Sequence, residues 1–229
     1  MKRSKCVLLL LMIVAACSGQ GRLLGDAADS IIYLQKSTFR VVYDYTRLCP
    51  ALVWWVTTGY DIIGSKRMPG SNFVTDYDLP APRARSSWFR RSGFHRGHLC
   101  PSADRLQSSD DNRSTFIMSN VAPMWPQFNT KPWLKAENFC RTHARLCGQS
   151  NCIAGCLWCT VDSVRPSVGR IQVPDSFYRA MLCPVDSTHN VYWLFPGNAW
   201  INEERRFRVS KRKFTSSMRR YLKYYIPNF

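Results

Sequence analysis

Four histidines serve the whole chain, and two of them, His95 and His98, flank an Arg-Gly pair in GFHRGHLCPSADR (93–105). Histidine suits the removal of a proton from water near neutral pH, because its unperturbed pKa of about 6.5 leaves a neutral ring available. Arginine suits a phosphate through its planar, bidentate fork. Gly97 between them permits close backbone approach. A base and an arginine are two of the three parts that hydrolysis of a phosphate diester needs. The third, relief of charge on the phosphate and the leaving oxygen, suits a hard divalent cation held by oxygen ligands. Taken alone, HRGH also fits a zinc-binding His-x-x-His pair or an ordinary polar loop.

Residues 129–147, NTKPWLKAENFCRTHARLC, supply the oxygen ligands. Pro132 in a first turn followed by good helix formers predicts a helix. Asn129, Trp133 and Glu137 are spaced by four, so they share roughly one face. Asn129 can present an amide oxygen to a metal, Glu137 can hold its water ligands, and Trp133 packs against the core. Spacing alone equally describes an amphipathic helix with a polar cap at Asn129.

The elements that must carry these residues read as strands and few helices. FRVVYDY (39–45) and ALVWWVTTGYDII (51–63) are rich in β-branched and aromatic residues. TFIMSNVAPM (115–124), CIAGCLWCTV (152–161), RIQVP (170–174), YRAMLCPV (178–185) and VYWLFP (191–196) are further strand candidates. Residues 64–93 are rich in Pro, Gly and Ser and predict a long surface loop. A short helix over 217–225 ends the chain. Antiparallel strands with a few inserted helices give an α+β class.

Composition narrows the setting. With 45% hydrophobic residues the chain builds a substantial core, which excludes a disordered chain. Lys2, Arg3 and Lys5 precede the apolar run Cys6 to Cys17, too short to span a bilayer but suited to a signal peptide. Val14-Ala15-Ala16-Cys17 resembles a bacterial lipobox, which would anchor the chain to a membrane through Cys17; ordinary cleavage near Ala16 or Gly19 also fits. The resulting organisation is a signal peptide over 1–17, a tether over 18–32 and one domain over 33–229. The chain is then exported: periplasmic, secreted or lipid-anchored. The formal charge of +17, or +14 without the three leader cations, favours a polyanionic partner. The densest basic run is RRFRVSKRKFTSSMRRYLKYY (205–225). Eight cysteines lie beyond the leader, an even count consistent with disulfides in an exported chain. The cluster CGQSNCIAGCLWC (147–159) holds one C-x-x-C without a second pair, which favours disulfides or core packing over zinc.

RGHLCPSADR followed by TFIMSNVAPMWPQFNTKPWLKAE resembles the DNA/RNA non-specific endonuclease family, the ββα-metal nucleases. The family signature is Asp-Arg-Gly-His, then a Ser/Thr-Asn strand end, then an Asn opening a helix that bears Trp and Glu. The resemblance implies an α+β, ββα-metal nuclease fold: a central antiparallel sheet with flanking helices and long loops. It implies a Mg²⁺-dependent enzyme, with Mn²⁺ or another divalent cation as substitute, that hydrolyses DNA and RNA to 5′-phosphate ends. Residue by residue, His98 becomes the general base, Arg96 the phosphate contact and Asn129 the metal ligand. Asn120 supports the site by hydrogen bonding and Glu137 orients metal-bound water. Arg67, in KRMPGSNFVTD (66–76), matches an upstream substrate-binding arginine at a stretched spacing. The departure is His95, where the family has Asp. Two other readings follow: a catalytically impaired nucleic-acid-binding relative, and a basic cell-surface interaction protein.

Overall fold

The strand-forming runs assemble into one seven-stranded antiparallel sheet in the computed structural model, which describes residues 30–64, 73–158, 166–197 and 199–225. Its strands are β1 (Ile31–Gln35), β2 (Phe39–Asp44), β3 (Cys49–Thr58), β6 (Gln149–Leu157), β9 (Ser176–Leu182), β10 (Val191–Pro196) and β11 (Arg208–Val209), in that spatial order. Two short ribbons stand apart, β4 (His95–His98) with β5 (Val121–Met124), and β7 (Ser167–Val168) with β8 (Ile171–Gln172). This is the α+β architecture that the residue pattern predicts. Ile31 and Ile32, assigned to the tether by composition, are the first residues of β1. The leader, Cys17, Arg67 and Cys159 lie outside the described residues.

Alternation along each strand divides the core into two layers. Val53 and Trp55 of β3, Cys152 and Ala154 of β6, and Trp193 and Phe195 of β10 face one layer. Leu52, Ile153 and Tyr192, one residue out of step, face the other. The first layer packs against the β4–β5 ribbon and helix α3 (Leu134–Leu146). The second is covered by helix α4 (Lys211–Tyr225) through Phe214 and Met218. The helix predicted over 217–225 therefore starts six residues earlier, at Lys211. The helix thus lies across the sheet from the HRGH ribbon.

The predicted strand over 115–124 is shorter than expected. Short helix α1 (Ser109–Ser114), capped by the Ser108 side chain, ends at Thr115, and a 3₁₀ turn covers Met118–Asn120 before β5 begins. The 64–93 segment is largely irregular, with a 3₁₀ turn at Ser86–Phe89, yet it is more than solvent-facing loop. Asp76, Leu79, Ala84 and Phe89 are buried, and Val74 bridges Ile117.

Candidate active site

The ribbon, a turn and a helix bring the predicted residues together. In the ribbon, His95 pairs with Met124, Arg96 with Pro123, Gly97 with Ala122 and His98 with Val121. Gly97 lets the Met124 side chain lie against the strand: a Cβ on it would lie 2.2 Å from Met124 Sδ, and something would have to shift. After β5 the chain turns into α2 (Pro126–Phe128), passes through a π-helical turn at Asn129–Trp133 and continues as α3. Asn129 therefore does not open the helix, as the sequence reading had it; Pro126 does. Pro132 explains the wide turn. It has no N–H to give to the carbonyl four residues back, and its ring would crowd that carbonyl.

The helix start lies directly against β4. Trp133 Nε1 donates to the His98 carbonyl at 3.1 Å, and the Asn129 amide nitrogen is 3.3 Å from His95 Nδ1. The half-buried His98 ring packs against Phe73 (centroids 5.0 Å apart) and edge-on against Phe116 (4.8 Å). Arg96 is fixed by two of its five N–H donors, which bond the Ser86 carbonyl at 2.8 and 3.3 Å. Its guanidinium lies over Phe73 and Phe89, and burial, helped by Arg90, lowers its pKa from the usual arginine value.

Asn120 is fully buried. Its Oδ1 accepts from Cys100 N at 2.8 Å, and its amide donates to the Cys100 and Thr115 carbonyls, both at 2.9 Å. It thus clamps the chain two residues beyond His98. Glu137 is buried, with its carboxylate 3.6 Å from Arg179 Nη2 and 4.0 Å from Arg141 Nη1. Burial raises its pKa, against the pull of both arginines and a hydrogen bond from Trp133. Trp133 therefore touches both the His98 carbonyl and the Glu137 carboxylate.

Several positioning residues escaped the sequence reading. Arg179 on β9 is fully buried between Trp133 (4.3 Å to the ring) and Trp55 (5.3 Å), and donates to the Leu99 carbonyl at 3.1 Å. Asp104 accepts from Trp55, Thr57 and Arg141 and so joins the ADR segment to the sheet and to α3. Trp133 is buried in the core, as its place on the helix predicts, and its indole also holds the His98 strand. One signal was available for Arg179, a lone charge inside the apolar run YRAMLC. Beside Ser86 opens a cleft of about 720 Å³ lined by Tyr77, Arg83, Arg85, Trp88 and Arg170 among others.

The family described as DNA/RNA non-specific endonuclease matches residues 25–219, which include every element of this site. The chain belongs to that family. It is 34% identical over 149 residues to a nuclease from Nostoc sp., covering 64% of this chain and 53% of the relative. It thus spans about half the length of that relative. It is 26% identical over 188 residues to nuclease C1 from Cunninghamella echinulata, covering 75% of this chain and 73% of the fungal protein. Human mitochondrial endonuclease G matches 63 residues at 40% identity, 28% of this chain and 21% of that protein. A chain of the solved EndoG/EndoGI complex superposes with a TM-score of 0.72 at 20% identity, over 81% of this chain and 82% of the other. The shared ββα-metal nuclease fold makes the β4–β5 ribbon and the Asn129 helix one structural unit in this family member.

Proposed function

We propose that the protein is a Mg²⁺-dependent endonuclease that hydrolyses phosphodiester bonds in DNA and RNA without regard to base or sugar. The observation that carries this reading is the Trp133–His98 hydrogen bond, which lays the helix bearing Asn129 against the strand bearing His98 and Arg96. His98 takes the proton from the attacking water, and its packing against Phe73 and Phe116 holds the ring for that task. Arg96 orients the phosphate with the donors that Ser86 leaves free. Asn120 and Glu137 act through what they hold, the 98–100 backbone and the Trp133–Arg179 pair.

The donor set suits a hard cation that keeps most of its water. Asn129 offers one neutral amide oxygen at a half-exposed position, while the nearby Glu137 carboxylate is engaged by arginines. Asn129 would hold the ion directly, with Mn²⁺ as substitute. The ion supplies neutralisation of charge on the phosphate and the leaving oxygen.

Base-independent cleavage fits contacts made to phosphate, which carries no sequence information. The cleft beside Ser86 suits a flanking strand, with Arg83, Arg85 and Arg170 for phosphates and Tyr77 and Trp88 for bases. The apolar leader supports export, and the lipobox supports attachment through Cys17, testable by loss of palmitate labelling in Cys17→Ser. A second reading, a binding-only relative, has one observation in its favour: His95 stands where the family has Asp and contacts Asn129. A plasmid-nicking assay with and without chelator decides between them. Nicking that chelator abolishes supports the enzyme; DNA binding without nicking at any Mg²⁺ concentration supports the second reading.

A further inference from the structure

Seven cysteines fall among the described residues, all present as thiols, and six of them stand as three facing pairs. Cys49 and Cys156 bring their sulfurs to 4.0 Å between the start of β3 and β6, 107 residues apart in sequence. Cys140 of α3 and Cys152 of β6 are in thiol–thiol hydrogen-bond contact. Cys147, just past α3, makes the same contact with Cys183, just past β9. Cys100 has no sulfur partner among the described residues and is fully buried behind the His98 strand.

Two explanations compete at the third pair. His189 joins Cys147 and Cys183 in a trio whose ligand atoms lie within 4.8 Å of one another, which suits a metal ion. That trio is the only such group among the described residues. The other two pairs are buried without a third ligand, whereas a structural zinc site closes with four. A metal therefore accounts for one pair, and oxidation accounts for all three.

We propose that these pairs close into three disulfides, Cys49–Cys156, Cys140–Cys152 and Cys147–Cys183, two of which fasten the catalytic helix α3 to the sheet. Each closure removes two protons and two electrons from a thiol pair. A disulfide of an oxidising thiol–disulfide partner accepts them and leaves as two thiols, through attack by one cysteine thiolate and resolution of the mixed disulfide by the second. Burial opposes ionisation of Cys140, but the hydrogen bond from Cys152 and the charge of Arg179 hold its pKa below the usual thiol value. Cys140 follows Glu137 by three residues, so its bond fixes the helix register beside the Trp133–His98 contact.

The test uses the full chain, oxidised with glutathione disulfide, alkylated in denaturant without reduction and mapped by peptide mass spectrometry. The expected result is three linked peptide pairs with the stated connectivity and the alkyl label on Cys100, with Cys6, Cys17 and Cys159, which lie outside the described residues, forming no bond to any of the six. Before unfolding, Cys100 should resist alkylation, because burial pushes its thiol up to about 12. Alkyl label on both members of any proposed pair after oxidation, or another pairing such as Cys152 with Cys156, would overturn the proposal. So would stoichiometric zinc in the oxidised chain with Cys147 and Cys183 still thiols. Melting of the same protein with and without phosphine reductant needs no variant, and the midpoint should fall on the order of 10 °C on reduction. An unchanged midpoint would refute the fastening. Neither readout depends on nuclease activity, so failure here leaves the proposed function standing, and the reverse holds too.

Discussion

Gly97→Ala tests the ribbon geometry most directly. A Cβ built on Gly97 lies 2.2 Å from Met124 Sδ and 2.4 Å from Met124 Cγ. Ordinary contact between such atoms is roughly 3.7 Å, so something must move by about 1.5 Å. Met124 is fully buried, and the two residues sit on paired strands, Gly97 opposite Ala122. Overpacking of this kind costs about 1–3 kcal/mol. For a chain of this size that lowers the melting midpoint by on the order of 5 °C. Any share taken by β4 rather than by the methionine displaces Arg96 and His98, and a displacement of about 1 Å costs roughly 10² in rate. The assay is a double-mutant cycle with Met124→Ala, reading melting midpoint and initial plasmid-nicking rate. With the thioether gone, Gly97→Ala should cost under roughly 0.5 kcal/mol and little further rate. Equal effects of Gly97→Ala in both backgrounds would show that Met124 is not what the glycine accommodates, and the packing argument would fall.

His98→Ala should lower the nicking rate by about 10²–10⁴ while DNA affinity stays nearly unchanged, since a general base acts in the transition state; nicking at the parent rate would require another base. For the cleft beside Ser86, Arg85→Ala/Arg170→Ala should weaken duplex binding and reduce the slope of log K against log salt by about 0.9 per lost phosphate contact. An unchanged slope would place the strand elsewhere. His95→Asp puts a carboxylate beside Asn129, 3.3 Å from the present imidazole nitrogen, and should lower the Mg²⁺ concentration for half-maximal nicking. Superimposable Mg²⁺ titrations would leave His95 as a ribbon histidine without influence on the ion.

Strands were legible where one face is buried and the run is apolar: β10 falls on 191–196 as the pattern predicts, and β2 lies within 39–45. Reading failed where tertiary contacts override local pattern. Residues 115–120 look like the start of a strand, but the Ser108 cap, the Asn120 clamp and the Val74–Ile117 bridge bend them into turns. The basic run at the chain end does not form one charged surface. Phe214 and Met218 instead seat α4 on the second core layer, and Arg206 and Arg208 pair with Glu203 and Glu204.

Within the candidate site, the residues of the ribbon and the helix start were legible because a ribbon, a turn and a helix keep them within 45 residues of one another. The His95–Asn129 contact and the Trp133–His98 hydrogen bond both lie within that local unit. The residues that hold the unit in place come from the rest of the chain: Phe73 and Ser86 from the long segment before it, Trp55 from β3 and Arg179 from β9. No spacing rule connects them, because each contact joins segments that only the tertiary fold brings together. Arg179 shows why this matters to chemistry. It stacks on Trp133, the residue whose indole holds the His98 carbonyl, and it offsets Glu137, the next carboxylate along the same helix. A buried guanidinium that never meets solvent thereby braces the strand carrying His98, through the Leu99 carbonyl, against the helix carrying Trp133 and Glu137.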